Sequence, residues 1–145
     1  MNLPDFQKCK IAIIGLGYVG LPLAIEFSKT RYCKKTGIEL NRKIIGFDLD
    51  EERLSELKNG FDRTKEINKI DLQKSPVIFT SNVKILEEAD VFIVTVPTPI
   101  NEETKDPDLS ALETATELIG RTLNLKISKS KSVIIYESTV FPGAL

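Results

Sequence analysis

The residues best suited to chemistry form a G-x-G-x-x-G pattern at positions 15–20. The pattern follows an apolar strand-like run and precedes a helix-like stretch, which is the context in which such a turn binds a dinucleotide. Gly15 then permits the tight turn, Gly17 lets a diphosphate approach the backbone, and Gly20 allows close packing of helix on strand. The helix N-terminus offers free N–H groups and a partial positive charge to the phosphates. The alternative is a packing turn without a ligand. We expect the whole turn to contact the cofactor: Gly15, Leu16, Gly17, Tyr18, Val19 and Gly20.

Other nucleotide motifs and common catalytic groups are excluded within this chain. Leu21-Pro22 stand where a P-loop needs Lys followed by Ser or Thr. No tyrosine is followed four residues later by lysine, the pair that short-chain dehydrogenases use. Histidine is absent, so no histidine base, triad or HExxH metal site is possible. We expect no metal site.

Asp48 ends the second apolar run, where an acid accepts hydrogen bonds from the adenosine ribose and repels a 2′-phosphate. The position predicts NAD rather than NADP. Asp48 lies 28 residues after Gly20 instead of about 20, and a polar insertion at 31–42 accounts for the excess. Asp50 competes for the role but better suits the N-cap of the next helix. Arg53 lies one turn further, at the ribose or adenine edge; the alternative is a solvated surface arginine.

The fourth and fifth apolar runs end in polar residues at the same predicted sheet edge. Ligands bind beyond the carboxyl ends of such strands, where the strand order reverses. Pro97 and Thr98 are therefore expected to contact the cofactor, although Thr98 can also be an ordinary turn residue. Glu137, Ser138 and Thr139 end the fifth run at the same edge, nearer the nicotinamide. The alternative for Glu137 is a buried structural partner. The two cysteines, Cys9 and Cys33, fall at the far side, and neither is expected to be catalytic.

The elements that position these residues alternate along the chain. Each apolar run is short, rich in Ile and Val, and apolar on both faces, as in parallel strands covered by helices. Amphipathic stretches separate the runs, one with an expected capping box at Ser110 and Glu113, while residues 61–75 hold a helical turn or a long loop. The pattern predicts an α/β Rossmann-type doubly wound sheet of about five strands in order 3-2-1-4-5. The runs are Lys10 to Gly15, Lys43 to Asp48, Pro76 to Ser81, Asp90 to Pro97 and Ser132 to Ser138.

Composition limits the class of protein. The chain has 145 residues, is 41% hydrophobic and 28% charged, and can bury a single-domain core. Its 20 basic and 21 acidic residues give a formal charge of −1, so we expect no nucleic-acid or membrane partner. No apolar run approaches a bilayer-spanning length, and two cysteines are too few for a disulfide framework. We expect a cytoplasmic protein.

The motifs together resemble the N-terminal NAD-binding domain of nucleotide-sugar 6-dehydrogenases. The similar segments are IAIIGLGYVGLPLAIEF, IIGFDLDEERLSELKNG, ADVFIVTVPTPI with DPDLS, and VIIYESTVFPG. The PTPI, PDLS and YESTVFPG forms look most like members that act on UDP-N-acetylhexosamines rather than UDP-glucose. Matching positions imply that Val19, Asp48, Arg53, Thr98 and Thr139 contact NAD, and that Thr139 helps to position water or nicotinamide.

The resemblance also implies a reaction and a role in polysaccharide biosynthesis. Such enzymes oxidise the C6 alcohol of a UDP-sugar to a carboxylate with two NAD, through a thiohemiacetal and a thioester on a cysteine. That cysteine and the sugar-binding domain are expected beyond residue 145. We therefore expect residues 1–145 to be one NAD-binding domain of a longer enzyme, truncated before a sixth strand and inactive alone; a homo-oligomer is plausible for the full-length enzyme. The alternatives are a stand-alone nucleotide-binding module and a β-hydroxyacid-type dehydrogenase.

Overall fold

Five parallel strands form one sheet in the residues that the computed structural model describes, 3–103, 106–126 and 131–138. The spatial order is β3-β2-β1-β4-β5, so the order predicted from the sequence is confirmed. Each neighbouring pair is parallel, and Ile13 of β1 pairs with Gly46 of β2 and Ile93 of β4. The strands are β1 (Lys10–Ile14), β2 (Lys43–Phe47), β3 (Ile78–Thr80), β4 (Val91–Val94) and β5 (Val133–Tyr136).

Helices connect the strands and cover both faces of the sheet. The segment at 61–75, for which a helical turn or a loop was predicted, contains the six-residue helix α3. None of the helices in the described ranges is both long and apolar enough to cross a membrane. The helices are α1 (Gly20–Lys29), α2 (Glu51–Lys58), α3 (Lys69–Lys74), α4 (Val83–Leu86) and α5 (Ser110–Leu125).

Alternate side chains of the central strands enter two separate cores. Ile11 and Ile13 of β1 pack with α1, α2 and α3, whereas Ala12 and Ile14 pack with α4 and α5. This arrangement explains why the strand sequences are apolar at nearly every position. At the edge of the described sheet β5 differs, because Ile134 and Ile135 both remain partly exposed.

The helix ends follow the local sequence, with one exception. Asp50 caps α2, since its carboxylate accepts the Arg53 N–H, and this confirms the role preferred for Asp50. The capping box predicted at Ser110 and Glu113 is wrong. The helix α5 begins one residue earlier than a Ser110 cap requires, so Ser110 lies inside it, and the Asp108 carboxylate accepts the Ser110 N–H instead.

The polar insertion folds as a small antiparallel loop that contacts the segment before β1. A bridge joins Tyr32 to Glu39, and the Asn41 N–H donates to the Gln7 carbonyl. The Arg42 guanidinium lies 4.4 Å from the Phe6 ring centroid and donates to the Phe6 carbonyl. The insertion therefore holds the segment that leads into β1, and it does not displace Asp48 from the end of β2.

Candidate functional site

A cleft of about 510 Å³ opens at the carboxyl ends of β1, β2 and β4. Its walls are the glycine turn after β1, the residues after β2 and β4, the first three turns of α5, and part of α2 with the loop that follows it. The turn joins the adjacent strand end, because the Gly15 N–H donates to the Phe47 carbonyl at 2.9 Å. The cleft thus occupies the point where the strand order reverses, between β1 and its neighbours on either side.

The three glycines of the turn differ in what surrounds them. Gly15 has a φ of +94°, a left-handed conformation that favours glycine, and a Cβ there would lie 3.1 Å from the Val96 side chain. A Cβ on Gly20 would collide with the Gly15 carbonyl and the Thr95 hydroxyl, so Gly20 has the packing role expected of it. A Cβ on Gly17 would meet no atom within 4 Å. Open space above Gly17 is what a ligand needs to reach the backbone.

The start of α1 presents backbone donors to this space. The N–H groups of Gly17, Tyr18 and Val19 meet no protein acceptor among the residues that the structure describes. Val19 is the N-cap of the helix, and no side chain caps it. These groups and the helix dipole favour an anionic ligand at this end of the cleft.

Asp48 lies in the cleft wall and holds the turn from one side. Its Oδ2 accepts the Leu16 N–H at 2.8 Å, and its Oδ1 accepts the Asp50 N–H at 3.0 Å. An ionised carboxylate offers about four acceptor positions, so Asp48 retains capacity for ligand hydroxyl groups.

Arg53 also lines the cleft, but it is buried rather than solvated. The residue is only 4% exposed, so the alternative of a surface arginine is wrong. Its Nε donates to the Leu16 carbonyl at 2.9 Å, and its Nη2 pairs with Asp62 at 2.8 Å. Its Nη1 has no hydrogen-bond partner among the described residues, although the Glu56 carboxylate lies 3.9 Å away. An unpaired buried donor at a cleft wall is suited to a ligand acceptor.

A second arginine, Arg63, stands at the outer edge of the same cleft. Its guanidinium makes ion pairs with Asp50, Glu52 and Glu56. The hydrogen bond to Glu56 raises the pKa of Arg63 above its usual value. Because acidic side chains surround Arg63 on three sides, this edge is not an open positive patch.

The remaining predicted site residues occupy different places. Pro97 lines the cleft, and Thr98 follows it, half-buried. The Ser138 hydroxyl donates to the Val96 carbonyl at 2.7 Å, which brings the end of β5 against the cleft wall. Tyr18 and Val19 are exposed beside the turn, at 70% and 53%. Thr139 lies outside the described residues.

The predictions for Glu137 and for the two cysteines have different outcomes. Glu137 is exposed, so the alternative that it is a buried structural partner is wrong. The cysteines Cys9 and Cys33 are absent from the cleft lining and are unbridged. Burial raises the pKa of Cys9, whereas hydrogen bonding to Thr36 lowers the pKa of Cys33.

Several lining residues were not among the cofactor contacts predicted from the sequence. The helix α5 contributes small and hydroxyl-bearing side chains to the wall opposite the glycine turn, beside the apolar stripe that was recognised. The placement of Ser and Thr between the apolar positions of that helix could have indicated them. These residues, with those of the loop after α2 and one after Asp48, are Leu49, Arg63, Thr64, Ser110, Ala111 and Thr114.

Comparisons with known proteins agree with this geometry. Residues 9–145 match the family model described as UDP-glucose/GDP-mannose dehydrogenase family, NAD binding domain. The chain belongs to this family. A similar curated relative is the UDP-N-acetyl-D-glucosamine 6-dehydrogenase of Pseudomonas aeruginosa, 46% identical over 139 residues, which cover 95% of this chain and 29% of the relative. The Salmonella typhi enzyme of the same name is 44% identical over 94% of this chain and 28% of that protein.

Solved structures of the UDP-glucose/GDP-mannose dehydrogenase family share the architecture. A UDP-D-ManNAc dehydrogenase from Pyrococcus horikoshii matches with a TM-score of 0.70 and 33% identity, over 92% of this chain and 29% of that one. A ternary complex of GDP-mannose dehydrogenase from Pseudomonas aeruginosa matches with a TM-score of 0.75 and 26% identity, over 92% and 29%. The chain thus spans about three tenths of the length of the curated relatives.

As an NAD-binding domain of this family, the chain has a cleft whose chemistry fits NAD. The open backbone at Gly17 and the start of α1 suit a diphosphate, and Asp48 has acceptor capacity for ribose hydroxyl groups. The buried Nη1 of Arg53 offers a further donor at the same wall. Within the described residues, no group of His, Cys, Asp and Glu side chains could hold a metal ion.

Proposed function

We propose that this chain is the NAD-binding part of a UDP-sugar 6-dehydrogenase that oxidises the C6 alcohol of a UDP-N-acetylhexosamine to the uronate. The names of the curated relatives support the substrate class, since they include UDP-N-acetyl-D-glucosamine 6-dehydrogenases and UDP-N-acetyl-D-mannosamine dehydrogenases. The chain covers about three tenths of those relatives. The sugar site and the cysteine chemistry are therefore assigned to the remainder of the full-length protein, and the chain alone is expected to bind NAD without turnover.

Each predicted cofactor contact has a proposed task. When bound, NAD supplies a hydride acceptor at its nicotinamide. Backbone N–H groups from Gly17 to Gly20 bind the diphosphate, while Asp48 accepts the ribose hydroxyl hydrogen bonds and disfavours a 2′-phosphate. Arg53 contributes its buried Nη1 to the adenosine end of the site. The remaining cofactor contacts are assigned to the turn side chains and to the ends of β4 and β5: Gly15, Leu16, Tyr18, Val19, Pro97, Thr98, Ser138 and Thr139.

One observation carries the proposal most directly. Open backbone at Gly17 faces the same cleft as a carboxylate at the end of the neighbouring strand, and the two are joined through Leu16. A turn that served packing alone would need neither the open space nor the carboxylate. Asp48 and Arg53 bind the N–H and the carbonyl of Leu16 and so hold the donors of the turn in place before a ligand arrives. This lowers the entropy cost of ordering the turn on binding.

The test is turnover by the full-length protein. UDP-N-acetylglucosamine, UDP-N-acetylmannosamine and UDP-glucose are each supplied with NAD, and NADH formation and the sugar product are measured. We expect an N-acetylated substrate to be oxidised to its uronate with two NADH formed per sugar. Faster oxidation of UDP-glucose would contradict the substrate assignment, and no NADH with any of the three would contradict the activity. Full-length Asp48→Asn serves as the matched variant with a weakened cofactor site.

A further inference from the structure

Asp62 is a buried carboxylate that the sequence analysis did not single out and that has no role in the site described above. Its side chain is only 1% exposed. Its two oxygens accept the N–H groups of Thr64, Glu66 and Ile67 at 2.9–3.0 Å and the Thr64 hydroxyl at 2.7 Å. This set of bonds folds the loop between α2 and α3 around one side chain.

The loop is held in a conformation that needs such support. Lys65 has a φ of +58°, which residues other than glycine rarely adopt, and its N–H donates to the Asp62 carbonyl. A residue in this region persists where the surrounding bonds fix it. Asp62 is therefore placed by several contacts at once and has little freedom to move.

A continuous chain of bonds connects Asp62 to the glycine turn. Its Oδ1 lies 2.8 Å from Nη2 of Arg53, and Nε of Arg53 donates to the Leu16 carbonyl at 2.9 Å. Arg53 is almost fully buried, so its positive charge must be stabilised by the nearby carboxylates. The guanidinium is planar and rigid, so the position of Nη2 against Asp62 also sets the direction in which the Nε–H points.

We propose that Asp62 is a positioning residue for the dinucleotide-binding turn, acting through Arg53 on the carbonyl of Leu16. The proposal rests on the NAD site proposed above. Asp62 is not among the residues that line the cleft; it sets the direction of the arginine that holds the turn. Removal of its charge leaves Arg53 free to turn towards Glu56, whose carboxylate is 3.9 Å from Nη1, and the Leu16 carbonyl then loses its donor.

The first test needs no cofactor. Amide hydrogen exchange is measured at Leu16, whose N–H donates to Asp48, in the wild type, in Asp62→Asn and in Asp90→Asn, all under conditions where each is folded. Asp90 is the matched control, because it accepts the Lys10 N–H and pairs with Lys126 at the opposite end of the sheet. We expect Asp62→Asn to speed exchange at the Leu16 amide about tenfold relative to the control. Equal exchange in both variants would overturn the proposal.

The second test is a double-mutant cycle on NAD affinity. Calorimetry is performed on Asp62→Asn, Arg53→Gln and the double variant. We expect Asp62→Asn to weaken NAD binding about tenfold, and to add no further loss in the Arg53→Gln background. Unchanged affinity in Asp62→Asn, or fully additive losses, would overturn the proposal.

The experiments distinguish failure of the proposed NAD-binding function from failure of the positioning role of Asp62. A wild type that does not bind NAD contradicts the proposed function, while the exchange measurement still decides the role of Asp62. If Asp62→Asn does not fold, Arg53→Lys replaces it in the exchange test. That variant keeps a charge beside Asp62 but lacks the fork that reaches both Asp62 and Leu16, so it should also speed exchange, and wild-type exchange would overturn the proposal.

Discussion

Asp48 and Arg53 hold opposite ends of the same residue in the glycine turn. The Asp48 carboxylate accepts the Leu16 N–H at 2.8 Å, and the Arg53 guanidinium donates to the Leu16 carbonyl at 2.9 Å. The two side chains come from the end of β2 and the first turn of α2. Two charged groups therefore fix the two peptide groups that flank the Leu16 Cα, and charge-assisted hydrogen bonds are stronger than neutral ones.

Replacement of Asp48 by Asn should reduce cofactor selectivity. The wild type should bind NAD at least tenfold more tightly than NADP, because the Asp48 carboxylate repels a 2′-phosphate. In Asp48→Asn that ratio should fall towards one, as measured by calorimetry with both cofactors. Asp50→Asn is the control, since Asn caps a helix as well as Asp does; it should change stability little and keep the ratio. Equal NADP affinity in the wild type would contradict the assignment.

Alanine at Gly17 should weaken NAD binding, whereas alanine at Gly20 should lower the stability of the fold. A Cβ at Gly17 enters open space in the cleft, so Gly17→Ala should leave the urea midpoint nearly unchanged and weaken NAD binding tenfold or more. A Cβ at Gly20 collides with the Gly15 carbonyl, so Gly20→Ala should cost roughly 3 kcal/mol of stability. A Gly17→Ala variant with wild-type NAD affinity would place the diphosphate elsewhere.

The hydroxyl of Thr95 should stabilise the glycine turn. It donates to the Gly15 carbonyl at 2.8 Å and lies 3.1 Å from the Ile14 carbonyl. Thr95→Val should therefore lower the free energy of unfolding by about 1 kcal/mol, measured by urea denaturation. Thr95→Ser keeps the hydroxyl and should recover most of that loss. A larger loss in Thr95→Ser than in Thr95→Val would show that the methyl group, not the hydrogen bond, matters.

Asp62 should contribute to stability at neutral pH and lose that contribution in acid. Burial raises the pKa of Asp62, but hydrogen bonds from Thr64, Ile67 and Arg53 lower it by a larger amount. The net result is a pKa of about 2 in the folded protein. The unfolded value is about 3.9, so the unfolded chain binds the proton first as the pH falls. The contribution, about 2 kcal/mol, is complete above about pH 5 and disappears between about pH 4 and pH 2.

This pH dependence is measured by urea denaturation of the wild type and Asp62→Asn between pH 7 and pH 3. The difference in unfolding free energy between them should shrink as the pH falls. Glu117→Gln is the control, because Glu117 is an exposed carboxylate paired only with Arg121 across one helical turn in the described structure. It should differ little from the wild type at every pH. A constant difference for Asp62→Asn would contradict the low pKa.

The sequence was sufficient to predict the sheet and one side of the site. Strand runs such as Lys43–Phe47 are apolar on both faces, and the glycine pattern follows the first of them directly, so the strand order and the place of Asp48 followed. The burial of Arg53 could not be predicted. It depends on Asp62, which lies nine residues later in a segment without helical or strand periodicity.

Short or shifted helices account for the other differences. The helix α3 has six residues and buries only Leu72 among them, which is too little apolar periodicity to detect. The first turn of α5 follows an irregular proline-containing segment, where Asp108 and Ser110 both favour a cap. The choice between them depends on how the helix docks against the cleft, which the local sequence does not encode.

The most direct test of the NAD site is a crystal structure of the chain with NAD. The account predicts that the diphosphate lies over Gly17 and accepts hydrogen bonds from the first N–H groups of α1. It also predicts that the adenosine ribose hydroxyl groups donate to Asp48. A cofactor bound outside this cleft, or an Asp48 side chain turned away from the ribose, would contradict it.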